Sequence, residues 1–346
     1  MARFFRYLTL LIAVLLYAGG CSREMMRWYY QTGIVPDDYR YGDLYRLSGL
    51  PQFKEPQPPC PPTSARPQAG ADSTHLYIIG DSFTEAQRIS RQDFPVGYYH
   101  YTHWEKQNQV QPDPGRRNVL LLETVERHFR EHFSRPVNNL VVVTDTSRPL
   151  PPPAAPSWHQ QLSALIKSTG LEERLETILF SHDLFLWFKE QKASLNFRLF
   201  DRWDPKVGVS RNRQHVFVGL DTDTATISSS FTPLPATELD ALVDSLNRVY
   251  DRYRALGFNE VYLSIIPNKA SVLDPGQGPY NHLIERVQRH PKRRIPIIDI
   301  YSVYTRSREP VYAVGDSHWN CTGRALWLRE VTKRLAGPLY GPANNG

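Results

Sequence analysis

Short, nearly continuous apolar runs alternate along this chain with longer stretches in which apolar positions recur every three or four residues. His75–Ile79, Leu140–Val143, Val216–Val218, Val261–Ile266 and Ile295–Ile300 are runs of the first kind. They read as strands, Leu140–Val143 as one buried on both faces. In Asn118–Phe133 the residues Val119, Leu122, Val125 and Phe129 fall three or four apart, with Arg and Glu between them, and the spacing predicts a helix. Ser157–Ser168, Leu171–Glu190, Asn281–Arg289 and Asn320–Leu335 read as helices too, as does a segment opened by Pro235-Ala236-Thr237 and running to about Leu256. A further helix is expected from about Phe83. Strands alternating with helices predict an α/β fold, a parallel sheet with helices on both faces. Ligands of such sheets sit beyond the carboxyl ends of the strands, so a motif that directly follows a strand carries extra weight.

The N-terminus follows a different pattern. Arg3 and Arg6 precede an uncharged run from Tyr7 to Ser22, almost wholly aliphatic from Leu8 to Leu16 and closed by Ala18-Gly19-Gly20-Cys21. This order of basic, apolar and small residues marks an export signal or a short membrane anchor. Beside the bland alternative of a buried N-terminal helix, three outcomes are open: lipidation at Cys21, an uncleaved anchor, or cleavage with release. Each places the folded part outside the cytoplasm, in the periplasm or on the cell surface, with the basic flank inside. Export makes a bridge between Cys60 and Cys321 feasible; two unpaired thiols are the alternative.

Hydrophobic residues are 41% and charged residues 22% of the 346, which supplies a core and excludes a disordered chain. Of the 28 prolines, seven lie in Pro51–Pro67 and five in Pro149–Pro156, so structureless spacers are expected there. The domain boundaries that follow are a leader over 1–22, a Tyr- and Pro-rich juxtamembrane spacer over 23–70, and one catalytic-size domain over 71–340. A net charge of +6 spread over this length does not mark a nucleic-acid binder. Three cysteines exclude a disulfide-rich scaffold and a four-cysteine zinc site.

Two motifs sit after strands. Gly80-Asp81-Ser82 follows Ile79, where a serine exposes its hydroxyl at the sheet edge and neighbouring backbone N–H groups face a developing oxyanion. Gly80 allows the tight turn. Gly315-Asp316-Ser317-His318-Trp319-Asn320 follows a strand-like Val311–Val314. An acid two residues from a histidine can hold one imidazole nitrogen and leave the other free to take a hydroxyl proton. Taken singly, each motif is as readily a plain turn or a solvated histidine; together they point to Ser82 as nucleophile, His318 as base and Asp316 as its partner.

This pairing resembles the SGNH (GDSL-type) hydrolase superfamily. The Asp-Ser-His-Trp-Asn form is similar to the branch of the alginate O-acetylation proteins AlgX and AlgJ and their DHHW relatives, and Pro267-Asn268-Lys269 after a strand is similar to a Pro-x-Lys segment of that branch. In the alginate proteins the Asp-x-His segment precedes the serine; here the order is that of the wider superfamily. The resemblance covers about residues 75–335. It implies an SGNH-like fold and transfer of acyl groups onto a cell-envelope or secreted polysaccharide, with an acyl-donating membrane protein as partner. An esterase removing acetyl groups and a catalytically silent glycan-binding protein are the alternatives. These residues require no metal or diffusible cofactor. The usual oxyanion-donor blocks are not found, so Gly80, Asp81, Asn268, Lys269 and Trp319 stand as candidates for substrate or oxyanion contact.

Other clusters have bland readings. Ser181-His182-Asp183 are adjacent on a helix and diverge. His128 and His132 are four apart but surrounded by Arg127, Arg130 and Arg135, and read as a solvated face. His100 and His103 lie among aromatics and can line a carbohydrate cleft or pack in a loop. Arg289–Arg294 reads as a solvated connection, with acidic glycan or lipid headgroups as the sharper option.

Overall fold

The computed structural model describes residues 2–37, 39–61, 73–143, 157–159 and 171–336. The helices are α1 (Ala2–Cys21), α2 (Arg23–Thr32), α3 (Asp43–Ser48), α4 (Glu126–Phe133), α5 (Leu171–Phe180), α6 (Asp183–Phe200), α7 (Gly219–Thr222), α8 (Ala236–Ala255), α9 (Lys269–Leu273), α10 (Leu283–Gln288), α11 (Tyr301–Thr305) and α12 (Cys321–Leu335). The strands are β1 (Thr74–Gly80), β2 (Tyr98–His103), β3 (Asn108–Val110), β4 (Arg117–Val125), β5 (Leu140–Val142), β6 (Val207–Val209), β7 (Val216–Val218) and β8 (Glu260–Ile266).

The chain forms two compact units, divided differently from the single 71–340 domain that the sequence suggests. One comprises 1–57 and 151–204; the other comprises 58–150 and 205–346. The Pro149–Pro156 cluster and most of the Ser157–Ser168 helix lie outside the described residues.

The larger unit is α/β. Its central sheet has the order β2-β1-β4-β8, every neighbour parallel. Ile297 adds a single parallel bridge beside Leu263, in place of the full strand expected at Ile295–Ile300. Strands alternate their side chains between the two faces. Tyr77, Ile79, Leu120, Leu122, Leu263 and Ile265 join one core, with Leu242, Val243 and Leu246 of α8. Leu76, Ile78, Val119 and Leu121 join the other, with Trp327, Leu328 and Val331 of α12. Both faces being buried explains the unbroken apolar runs.

That same double burial corrects the helix predicted over Asn118–Phe133. Its first part is the buried strand β4, and only Glu126–Phe133 is helical. A run such as Val119-Leu120-Leu121-Leu122 satisfies a three-to-four spacing while serving two sheet faces. The helix expected from Phe83 is only a 3-10 turn, Ser82–Thr84. Leu140–Val142 is a strand, but one paired with β3 in a two-stranded ribbon with Val141 exposed, not one buried on both faces. β6 and β7 pair antiparallel.

The smaller unit corrects the spacer prediction for 23–57. Short helices α2 and α3 and a 3-10 turn at Pro51–Phe53 bury Leu44, Tyr45, Leu50 and Phe53. Elements this short leave no sustained period to read. The helix predicted over Leu171–Glu190 breaks into α5 and α6.

Cys60 and Cys321 are joined by a disulfide across 261 residues of sequence, within the larger unit. Closing so long a loop restricts the unfolded chain, an effect of roughly 2–5 kcal/mol. Mild reduction, or Cys321→Ser, is expected to lower the urea unfolding midpoint of the larger unit and, by letting the unfolded chain expand, to steepen the slope; an unaltered midpoint contradicts this.

Candidate active site

Strand order reverses at β1: β2 lies on one side of it, β4 and β8 on the other. In doubly wound sheets the carboxyl ends of the strands at such a switch point form the binding crevice. β1 ends there at Gly80, and the chain enters the Ser82–Thr84 turn through an extended Asp81. The turn is clamped from below. Glu123 Oε2 accepts the Asp81 N–H at 2.7 Å and the Thr84 hydroxyl at 2.8 Å. Asp81 Oδ2 accepts the Val125 N–H at 2.7 Å, and the Tyr101 hydroxyl lies 3.1 Å from both the Gly80 and Asp81 carbonyl oxygens. A Cβ on residue 80 would stand 2.1 Å from Thr84 Oγ1 and 2.8 Å from Glu123 Oε2. Glycine is therefore required for close approach of the Thr84 hydroxyl and the Glu123 carboxylate, not for a left-handed turn.

The second motif is the tip of a hairpin. Tyr312 bridges Trp319 antiparallel, with Ala313 N–H on His318 O at 3.2 Å and Asn320 N–H on Val311 O at 3.0 Å. Val311–Val314 is thus one arm of a tight hairpin and not a sheet strand. Asn320 caps α12 by accepting the Gly323 N–H at 3.0 Å, and Cys321 ties the start of that helix to Cys60. Lys269, 2% exposed, donates to the carbonyl oxygens of Ala313 at 2.7 Å, Val314 at 2.8 Å and Asp316 at 3.1 Å. The Tyr312 hydroxyl donates to Pro267 O at 2.6 Å. The Pro267-Asn268-Lys269 segment after β8 therefore holds the hairpin from beneath.

These two loops meet. Ser82 Oγ is 2.8 Å from His318 Nε2, and His318 Nδ1 is 2.6 Å from Asp316 Oδ1. The same carboxylate oxygen accepts the His318 backbone N–H at 2.8 Å. A carboxylate only accepts, which assigns the proton to Nδ1 and leaves the Nε2 lone pair facing the serine hydroxyl. Burial pushes Asp316 upward, but the hydrogen bond and charge of His318, its backbone N–H and the Arg88 guanidinium outweigh this and hold the acid well below the usual carboxylate range. The Phe83 ring packs 4.7 Å from the imidazole. Ser82 is half-buried, whereas Asp316 and His318 are buried.

The pattern of residues did not point to Arg88. Its Nη1 donates to Ser82 O at 3.1 Å, and Nη2 lies 3.1 Å from His318 Nδ1. Both groups at the latter contact are donors when Nδ1 carries its proton. Arg88 therefore acts there as a cation beside the Asp316–His318 pair.

Four other candidates are scaffold. Asn268 is fully buried; its amide oxygen accepts the Arg127 N–H at 3.1 Å and its amide nitrogen donates to Ser230 Oγ at 2.9 Å. Its polar groups are spent on structure, not offered to an oxyanion. Lys269 is committed to the three carbonyls above. The Asp81 carboxylate is buried on Val125. Trp319 packs among Phe83 and Trp327 in the core. Among the weaker clusters, His182 precedes α6 in the smaller unit. His132 stacks between Trp104 at 4.1 Å and His128 at 5.6 Å, and burial pushes both histidines down, to about 3 and about 4 respectively. Arg127, Arg130 and Arg135 turn instead to Asp221, Glu238 and Glu131. His100 and His103 belong to β2, a strand that the aromatic-rich sequence conceals. In the basic run, Arg294 pairs with Asp251, while His290 and Lys292 pair with Asp240.

The chain matches no protein-family model, and no curated protein or solved structure is significantly similar to it.

Burial pushes Asp81 up to about 6, against the Val125 N–H and the Arg127 and His103 charges. It pushes Glu126 up to about 7, against bonds from Ser271, Asn268 and Tyr280, and it also raises Glu123, with the Asp81 charge adding to the effect. A raised carboxyl keeps in the folded chain a proton that the unfolded chain has released, so its stabilisation is complete in acid and fades as pH rises through about 6 and 7. Asp316 acts oppositely only in strong acid, but His128 and His132, pushed down by burial, act oppositely up to the ordinary imidazole range. The carboxyl effect is therefore isolated by difference: the urea midpoint of the wild-type chain relative to that of Asp81→Asn with Glu126→Gln is expected to fall between pH 5 and pH 8. A difference that stays constant or rises toward pH 8 contradicts this assignment.

Proposed function

We propose that this chain is an extracytoplasmic serine acyltransferase of the SGNH kind, which places an acyl group, acetyl in the simplest case, on a hydroxyl of a cell-envelope or secreted polysaccharide. The observation that carries the reading is the line Ser82–His318–Asp316, at 2.8 and 2.6 Å, at the carboxyl edge of a parallel sheet. In this reading Ser82 Oγ attacks the acyl carbonyl of a donor while its proton passes to His318 Nε2. Asp316 keeps the imidazole in the required tautomer and balances the imidazolium that forms. The Ser82 N–H, entering the turn, faces the oxyanion. The tetrahedral adduct collapses by expelling the donor oxygen, which takes the proton from Nε2. A sugar hydroxyl then attacks the acyl-serine, His318 takes that hydroxyl's proton, and Ser82 leaves with it.

The apolar α1 and the Cys60–Cys321 bridge support an exported, membrane-attached chain, since disulfides persist in oxidising compartments. The preference for a sugar acceptor over water rests on the sequence resemblance, as does an acyl-donating membrane partner. Hydrolysis and transfer use the same three residues and differ in what attacks the acyl-serine.

The test is turnover of a chromogenic acetyl ester with and without an acetyl-free acceptor oligosaccharide. The expected result is acceleration by the acceptor with acetylated sugar as product, and a loss of roughly 10³-fold or more in Ser82→Ala and His318→Ala. Turnover without acetylated sugar makes the chain an esterase. Turnover unchanged in Ser82→Ala overturns the mechanism.

A further inference from the structure

The smaller unit carries a helix that is apolar on two opposite sides. On its inner side α6 buries Leu186, Glu190 and Phe197, with Glu190 accepting from the Tyr45 hydroxyl and from Lys54 Nζ at 2.8 Å. On the outer side Leu184, Phe188, Leu195 and Leu199 recur at intervals of four, seven and four residues and so return to one face. They are 65, 58, 53 and 68% exposed, and Trp187 lies at their edge, also exposed. A helix serving only a soluble core needs a single apolar stripe.

The same unit carries another exposed apolar surface. α5, which leads into α6, packs on α1, where Arg174 Nε donates to Gly20 O at 2.6 Å. A Cβ at Gly20 would stand 2.6 Å from Leu175 Cδ2, so the glycine admits the helix contact. α1 is long and apolar enough to cross a membrane, and only 11% of that stretch is buried. Polar residues Lys189, Glu190, Gln191 and Lys192 in the middle of α6 prevent it from spanning a bilayer. Acidic residues outnumber basic ones between 171 and 204, so attraction to anionic lipid is not what holds it. Apolar outer side chains with tryptophan at their edge suit the boundary between headgroups and acyl chains.

We propose that α6 is a second membrane contact, lying in the interfacial layer of a lipid bilayer with its Leu184–Phe188–Leu195–Leu199 face toward the acyl chains. The inference stands apart from the catalytic reading.

The experiment uses the full chain in phosphatidylcholine vesicles, with Cys21→Ser and the disulfide intact. Spin labels are placed singly at Phe188→Cys, at Leu195→Cys and, as an aqueous reference, at Glu105→Cys, whose native side chain is 88% exposed. Labels at 188 and 195 are expected to collide severalfold more with oxygen than with a water-soluble nickel chelate, with the ratio reversed at 105. Replacing part of the lipid by phosphatidylglycerol should leave the ratio unchanged. Chelate access at 188 and 195 equal to that at 105 overturns the proposal. So does a label shielded from both reagents, which would mean that a protein, either a second copy or a membrane partner, covers the face.

Discussion

The Asp316 carboxylate is the charge around which the site is built. It accepts both the side-chain and the backbone N–H of His318 through one oxygen, so it fixes the tautomer and the position of the imidazole together. Both bonds lie within the hairpin at 311–320, but the contact of His318 with Ser82 would not survive if that hairpin were free to move. The hairpin is short and has one bridging residue pair, too little to hold itself. Its rigidity comes from outside: the buried ammonium of Lys269 gathers three of its carbonyls, Tyr312 anchors it to Pro267, and Cys321 ties it to Cys60. A buried cation without carbonyl partners would be costly, so the hairpin and Lys269 stabilise each other.

The serine side is held in a similar way, but by acids. Glu123 and Asp81 lie under the turn and take N–H and hydroxyl donors that a strand end otherwise leaves unpaired. Desolvation raises both carboxyls, which favours a neutral form in that crowded space. Gly80 lets the Thr84 hydroxyl and the Glu123 carboxylate come close to the strand end. The catalytic-looking tripeptide is thus two residues of support and one of exposed chemistry.

How much of this was legible in the sequence depends on the range of the interaction. β1 and the turn after it are local: an apolar run, a glycine and small polar residues. Asp316 and His318 are likewise two residues apart, and their meeting with Ser82 is the pairing that the motifs suggested. β4 has the spacing of a helix because a strand buried on both faces leaves no alternation to see, and β2 is hidden because its Tyr and His residues resemble a loop. Arg88 and the role of Lys269 were invisible, since each acts on a segment over two hundred residues away or on backbone carbonyls that have no residue type. Asn268 looked like a donor only because its partners, Arg127 N and Ser230, come from other elements. The grouping of 151–204 with the N-terminal residues also lies in distant contacts, which proline clusters do not announce.

The central claim is that the Ser82 hydroxyl is activated by His318 as oriented by Asp316. The most direct measurement is labelling of the full chain by a fluorophosphonate, with the modified residue located by peptide mass spectrometry. The account predicts a single adduct on Ser82, lost in Ser82→Ala and slowed by orders of magnitude in His318→Ala and Asp316→Asn. Absence of labelling in the folded wild-type chain, or equal labelling in His318→Ala, would contradict it.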